Sequence, residues 1–170
     1  MIYKNFEIYN VAEIIEEITL NNFKLTLEPK KGQMNILKPS SEEGSLFNMT
    51  EENIVDEIRY KGALNTNAQK LEIGNQGGIL LFRYANTGIG EYTSNEGEII
   101  KHDISLLSKI GVEKEELEST LAFDITISLK SEKQYLATIS LDMPIENLTE
   151  EKAGSIEITD FTDVVFKRIK

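Results

Sequence analysis

"FDITISLKSEKQYLATISL", residues 123–141, alternates apolar and polar side chains in two runs separated by a short polar gap. Phe123, Ile125, Ile127 and Leu129 alternate with Asp124, Thr126, Ser128 and Lys130. After the gap, Tyr135, Ala137, Ile139 and Leu141 alternate largely with polar residues. A period of two is that of a β-strand with one face buried, so the stretch predicts an antiparallel hairpin with one wet face. Opposed residues in such a pair point to the same face, so odd-numbered residues must oppose odd-numbered ones. A two-residue turn at Glu132 and Lys133 would set Leu129 against Leu136 and expose one apolar set. The smallest loop that avoids this is Ser131-Glu132-Lys133, with Leu129 opposite Tyr135 and Ile125 opposite Ile139. Lys133 then takes the left-handed conformation that glycine usually fills.

Outward from the hairpin the signals are mostly those of strands. "SIEIT" and "DVVFKRI" extend the strand character toward the carboxyl terminus, with a break around Asp160 and Phe161. On the amino-terminal side, "NFKLTLEP" and "QMNILKP" read as strands, the second ended by Pro39. The exception is "NVAEIIEEI", where Val11, Ile14, Ile15 and Ile18 fall at helical spacing and Asn10 with Glu13 resembles a capping box, so a helix is expected there. "KPSSEEGSLFNMT" is a polar loop. Thr50 then resembles an N-cap for "EENIVDEI", whose Ile54, Val55 and Ile58 suit a helix or a strand equally.

Two glycine clusters invite a phosphate-binding reading. In "LEIGNQGGILLFRY", residues 71–84, the glycines are followed by a continuous apolar run with no helical period and no Gly-Lys-Ser/Thr ending. Backbone amides converge on phosphate only at a helix start, so this cluster reads as a hairpin turn between Leu71 and Ile73 on one side and Ile79, Leu81 and Arg83 on the other. Gly88 and Gly90 in "NTGIGEY" lack the third glycine and the acidic ribose partner of a dinucleotide site, and read as a turn. The predicted fold class is therefore α+β: a mainly antiparallel sheet of about six to nine strands with a few short helices, in one compact domain spanning residues 1–170.

The chain has no cysteine, which removes disulfides, thiol nucleophiles and thiolate metal sites. The start, MIYKNFEIYN, lacks the pattern of a secretory signal and no stretch has the apolar length of a membrane span, so a cytoplasmic protein with no membrane partner is expected. Heavy use of Ile, Lys and Asn points to a low-GC bacterium or its phage as the source. A formal charge of −11 argues against nucleic acid as a ligand, because phosphate recognition draws on clustered Lys and Arg; Lys167, Arg168 and Lys170 are too few to reverse the sign.

"HDISLLSKIGVEKEELEST" has the outline of a helix-turn-helix: Asp103 as a cap, Ile104, Leu107 and Ile110 on one face, Gly111 as a left-handed end, and a second helix from Val112. That second helix would present Glu113, Glu115, Glu116 and Glu118 to DNA, which like charge forbids. The outline is expected to be a surface helical pair, and those four glutamates become the candidate partner-binding residues. His102 is the only histidine, and its neighbour Asp103 points away from it in an extended chain, so no triad is expected. "TDFTD", with Asp160 and Asp163, lacks the ligand spacing of a calcium loop. No catalytic, cofactor or metal site is assigned, and none of the motifs carries a family resemblance.

The favoured expectation is a non-catalytic, protein-binding chain that engages a basic protein through an acidic surface or a sheet edge, as an inhibitor, immunity factor or assembly accessory. One alternative is a chaperone for extended chains, by analogy of charge and size with the SecB class. The other is a carboxylate-dependent hydrolase, for which the 29 acidic residues nominate no particular pair.

Overall fold

The alternation of residues 123–141 becomes two long strands, β8 (Thr120–Leu129) and β9 (Gln134–Asp142), in a computed structural model that describes residues 2–7, 13–39, 49–61, 65–66, 73–74, 77–97, 104–143, 145 and 164–170. Odd faces odd, as expected, but the register differs from the predicted one: Ile127 opposes Tyr135, Ile125 opposes Ala137, and Phe123 opposes Ile139. The loop has three residues, Lys130, Ser131 and Glu132, closed by the Leu129 N–H to the Lys133 carbonyl and the Glu132 N–H to the Leu129 carbonyl, both at 2.9 Å. Glu132, at φ 65°, is therefore the left-handed residue in place of Lys133. The reason lies outside the hairpin. Ser131 and Lys133 both donate to the Glu13 carboxylate, which ties the turn to the chain entering the neighbouring strand, and Lys133 does not take a positive φ.

That neighbour, β2 (Ile15–Leu27), takes up the Ile15–Ile18 end of the segment where helical spacing predicts a helix, Asn10 and Val11 lying outside the described residues, and the correction has a physical cause. β2 pairs with β8 through three register irregularities, between Ile15 and Glu17, Asn21 and Lys24, and Leu25 and Leu27. Each extra residue shifts the phase of alternation, so the inward side chains run Ile15, Ile18, Leu20, Phe23, Leu25. Ile15 and Ile18 thus share a face three residues apart, which imitates a helix, while Ile14 is turned out to 39% exposure. The second irregularity is built on Asn22 at φ 53°, a left-handed conformation that asparagine tolerates better than most residues.

The remaining strands are β1 (Ile2–Glu7), β3 (Gln33–Leu37), β4 (Ile58–Lys61), β5 (Asn65–Thr66), β6 (Ile73–Gly74), β7 (Gly77–Thr87) and β10 (Lys167–Arg168). Among the described residues all pairings are antiparallel and fall into two sheets where a single one was expected. One is ordered β10-β9-β8-β2-β4-β5, and the other β1-β7-β3 with β6 also on β7. A common core joins the sheets: Ile36, Leu80 and Phe82 from the second cluster with Ile18, Leu20, Tyr60, Leu121, Phe123 and Ile125 from the first. Phe82 meets Phe123 edge-on at 5.3 Å, and Phe23 stacks on Phe123 at 5.4 Å. Each such aliphatic or aromatic side chain withdrawn from water contributes about 1.5–3 kcal/mol.

Helices are few. α1 (Ile104–Lys109) ends where Gly111 takes φ 67°, as the sequence predicts, with Leu107 buried beneath it. The expected second helix is a single 3-10 turn, Lys114–Leu117, because β8 already begins at Thr120. No helix-turn-helix forms. The ambiguous 51–58 stretch divides: a 3-10 turn at Glu51–Asn53, then extended chain leading into β4. Within "LEIGNQGGILLFRY", Gly74 pairs opposite Gly77 and Ile73 opposite Gly78, residues 71–72 and 75–76 lying outside the described residues, and the element after the glycines is a strand with no helix start to offer phosphate. Asp103, His102, the 40–48 loop, and "SIEIT" with Asp160 and Asp163 lie outside the described residues. Among the described residues, no helix is long and apolar enough to cross a membrane.

Candidate functional site

The four glutamates singled out by the sequence sit on the turn that leads into β8. Glu113, Glu115 and Glu118 are exposed and Glu116 is half-buried. Two of them are engaged locally: the Glu116 carboxylate accepts the Glu113 N–H at 3.2 Å, and the Glu113 side chain accepts a backbone N–H in return, a reciprocal cap for the 3-10 turn. The carbonyl of Glu116 accepts the N–H groups of Lys30 and Lys31, at 2.8 and 3.2 Å, from the turn between β2 and β3. The segment is thus a latch that fastens that turn, with two acidic side chains, Glu115 and Glu118, left at the surface.

A second feature is built from residues far apart in the chain. β3 pairs with β7 along one edge, Gln33 opposite Thr87 through Leu37 opposite Arg83. Among the described residues, its other edge is covered only in its second half, where Asn53–Val55 runs alongside: Leu37 bridges Ile54, the Val55 N–H donates to the Ile36 carbonyl at 2.9 Å, and the Lys38 N–H donates to the Asn53 carbonyl at 3.0 Å. Beside the first half of that edge opens a groove of about 510 Å³, lined by Phe23, Met34, Asn35, Ile36, Ile54, Val55 and Asp56. Ile54 stays 39% exposed at its lip.

The local sequence explains each wall. Thr50 starts the 3-10 turn, its carbonyl accepting the N–H groups of Asn53 and Ile54, and Asn53 donates its side-chain amide to the Thr50 hydroxyl at 2.9 Å. That turn delivers Ile54 and Val55 to the β3 edge and leaves Glu51 and Glu52 exposed beside them. The left-handed Asn22 resets the phase of β2 so that Phe23 faces inward and supplies the floor. Acidic side chains therefore flank the apolar pair: Glu51 and Glu52 before it, Asp56 and Glu57 after it. Glu57 is bound to Arg59 at 2.5 Å, and that hydrogen bond, with the guanidinium charge, holds its carboxyl below the ordinary range.

Sequence reading misses this groove because its apolar residues come from three segments, two joined by the Leu37–Ile54 bridge and the third, carrying Phe23, brought in by the packing of the two sheets. The one legible sign is the pattern of "EENIVDEI", two adjacent apolar residues set between acidic pairs.

Elsewhere, Asp124 on the outer face of β8 accepts from Thr138 at 2.5 Å and Asn22 at 2.8 Å; these bonds, with the charge of Lys24, hold its carboxyl below the ordinary range. This cluster pins the irregularity in β2. Among the described residues no three His, Asp or Glu side chains gather as metal ligands. Comparison with models of protein families, with curated proteins and with solved structures finds no match to this chain.

Proposed function

We propose that this chain is a non-catalytic protein-binding module for a basic protein partner, its 170 residues forming one compact α+β unit that works in the cytoplasm as an inhibitor, immunity factor or assembly accessory. The observation that carries the reading is a largely apolar groove with Asp56 in its lining, on a chain of formal charge −11. An apolar floor supplies affinity by burial, while the acidic flank attracts and orients a cationic surface. Glu115 and Glu118 add a second acidic patch that widens the electrostatic target without touching the groove.

The test is co-purification from the source cell, followed by titration of the purified partner. A Lys- and Arg-rich protein is expected, with a dissociation constant that rises at least ten-fold as salt is raised from about 0.05 to 0.5 M, because exposed charges are screened over a shrinking distance. Binding that is indifferent to salt, or a partner without basic character, overturns the reading.

A further inference from the structure

The mode of recognition follows from the hydrogen bonding of β3. In an antiparallel pair, successive residues direct their N–H and C=O groups to opposite edges. Ile36 and Lys38 use theirs on the side of Asn53 and Val55, so Met34 directs its own to that same side. Among the described residues, no hydrogen bond takes the Met34 N–H, the Met34 carbonyl or the Ile36 N–H. Met34 and Ile36, which carry these three backbone groups, are among the residues that line the groove. An exposed strand edge beside an apolar slot is the arrangement that takes up an extended chain, main-chain bonds supplying affinity and alternate side chains supplying selectivity.

We infer that the first half of β3 receives an extended segment of the basic partner as an added antiparallel or parallel strand, in line with Asn53–Val55, a proposal that rests on the protein-binding reading above. The segment carries apolar side chains at alternate positions, which enter the slot between Phe23, Met34 and Ile54, and Lys or Arg at the positions between, which meet Asp56 and the negative field of a chain of charge −11. Charge complementarity selects this occupant over a second copy of the chain, since two copies at −11 each repel.

The experiment uses the whole isotope-labelled protein and a capped peptide of alternating lysine and valine. On binding, amide exchange at Met34 and Ile36 should slow at least ten-fold. The same peptide with its backbone N-methylated at alternate residues keeps every charge and side chain but cannot complete the strand pairing, and should bind at least ten-fold more weakly. Met34→Pro removes the edge donor without removing a bond to β7, and should weaken the unmodified peptide by a similar factor with the melting temperature little changed. Equal binding of both peptides, with shifts at Glu115 and Glu118 and none at Met34, overturns strand addition while leaving an acid-driven protein-binding role intact. Failure of both peptides to bind at low salt overturns strand addition together with electrostatic capture of basic segments.

Discussion

Two left-handed residues carry much of the local specification. Glu132 holds φ 65° at the end of the β8–β9 loop, a conformation that costs a residue with a Cβ atom about 1–2 kcal/mol and costs glycine little. Glu132→Gly should therefore raise unfolding free energy by about 1 kcal/mol in urea melts, less the entropy gained by the unfolded chain. Lys133→Gly, which the sequence alone nominates, should destabilise, because Lys133 is not left-handed and its ammonium is bonded to Glu13. Asn22 is the other case, and its amide is one of two donors to Asp124. The carboxyl of Asp124 is depressed in the folded chain, so it contributes stability that is complete above the ordinary aspartate range and is lost as pH falls through the depressed value. Unfolding measured between neutral pH and about pH 2.5 should show a steeper acid-side decline for the natural chain than for Asp124→Asn; equal slopes would exclude the assignment.

At the scale of elements, what could be read from sequence depended on whether a strand keeps its phase. β8 and β9 do, and their residues announced a hairpin, its face and the parity of its register; the length of the loop was right as well, and only its position moved, because the bond to Glu13 is invisible from within the hairpin. β2 does not. Its irregularities place Ile15, Ile18, Leu20 and Phe23 on one side at spacings of three, two and three, and the first of these spacings belongs equally to a helix. The two readings differ at Ile14, which a helix buries and β2 exposes. Ile18→Ala should cost about 2–5 kcal/mol, as for a fully enclosed aliphatic side chain, and Ile14→Ala less than about 1 kcal/mol. Similar losses at both positions would favour the helix. The groove was illegible for a different reason: "EENIVDEI" shows its acidic flanks, but Phe23 and Met34 become its walls only after two sheets have closed on each other.

At the scale of the molecule, the two sheets meet through Phe23, Phe82 and Phe123, and the Tyr84 and Ser119 hydroxyls hydrogen-bond across the same seam at 3.2 Å. Among the described residues, no two paired strands are more remote in sequence than β2 and β8, which run side by side although Asn22 and Asp124 are 102 positions apart. This pairing has a kinetic consequence. Closing so long a loop costs chain entropy before any contact rewards it, whereas the β8–β9 loop is short and can close within microseconds. The hairpin should accordingly form first and serve as the template on which β2 is laid down. Stopped-flow refolding can see the order: Glu132→Gly should speed folding by about five-fold for each kcal/mol it contributes, leaving unfolding unchanged, while Ile18→Ala should act chiefly by hastening unfolding. The bond from Ser131 and Lys133 to Glu13 would then be the place where the late strand is first caught, at the turn end of a hairpin already in place.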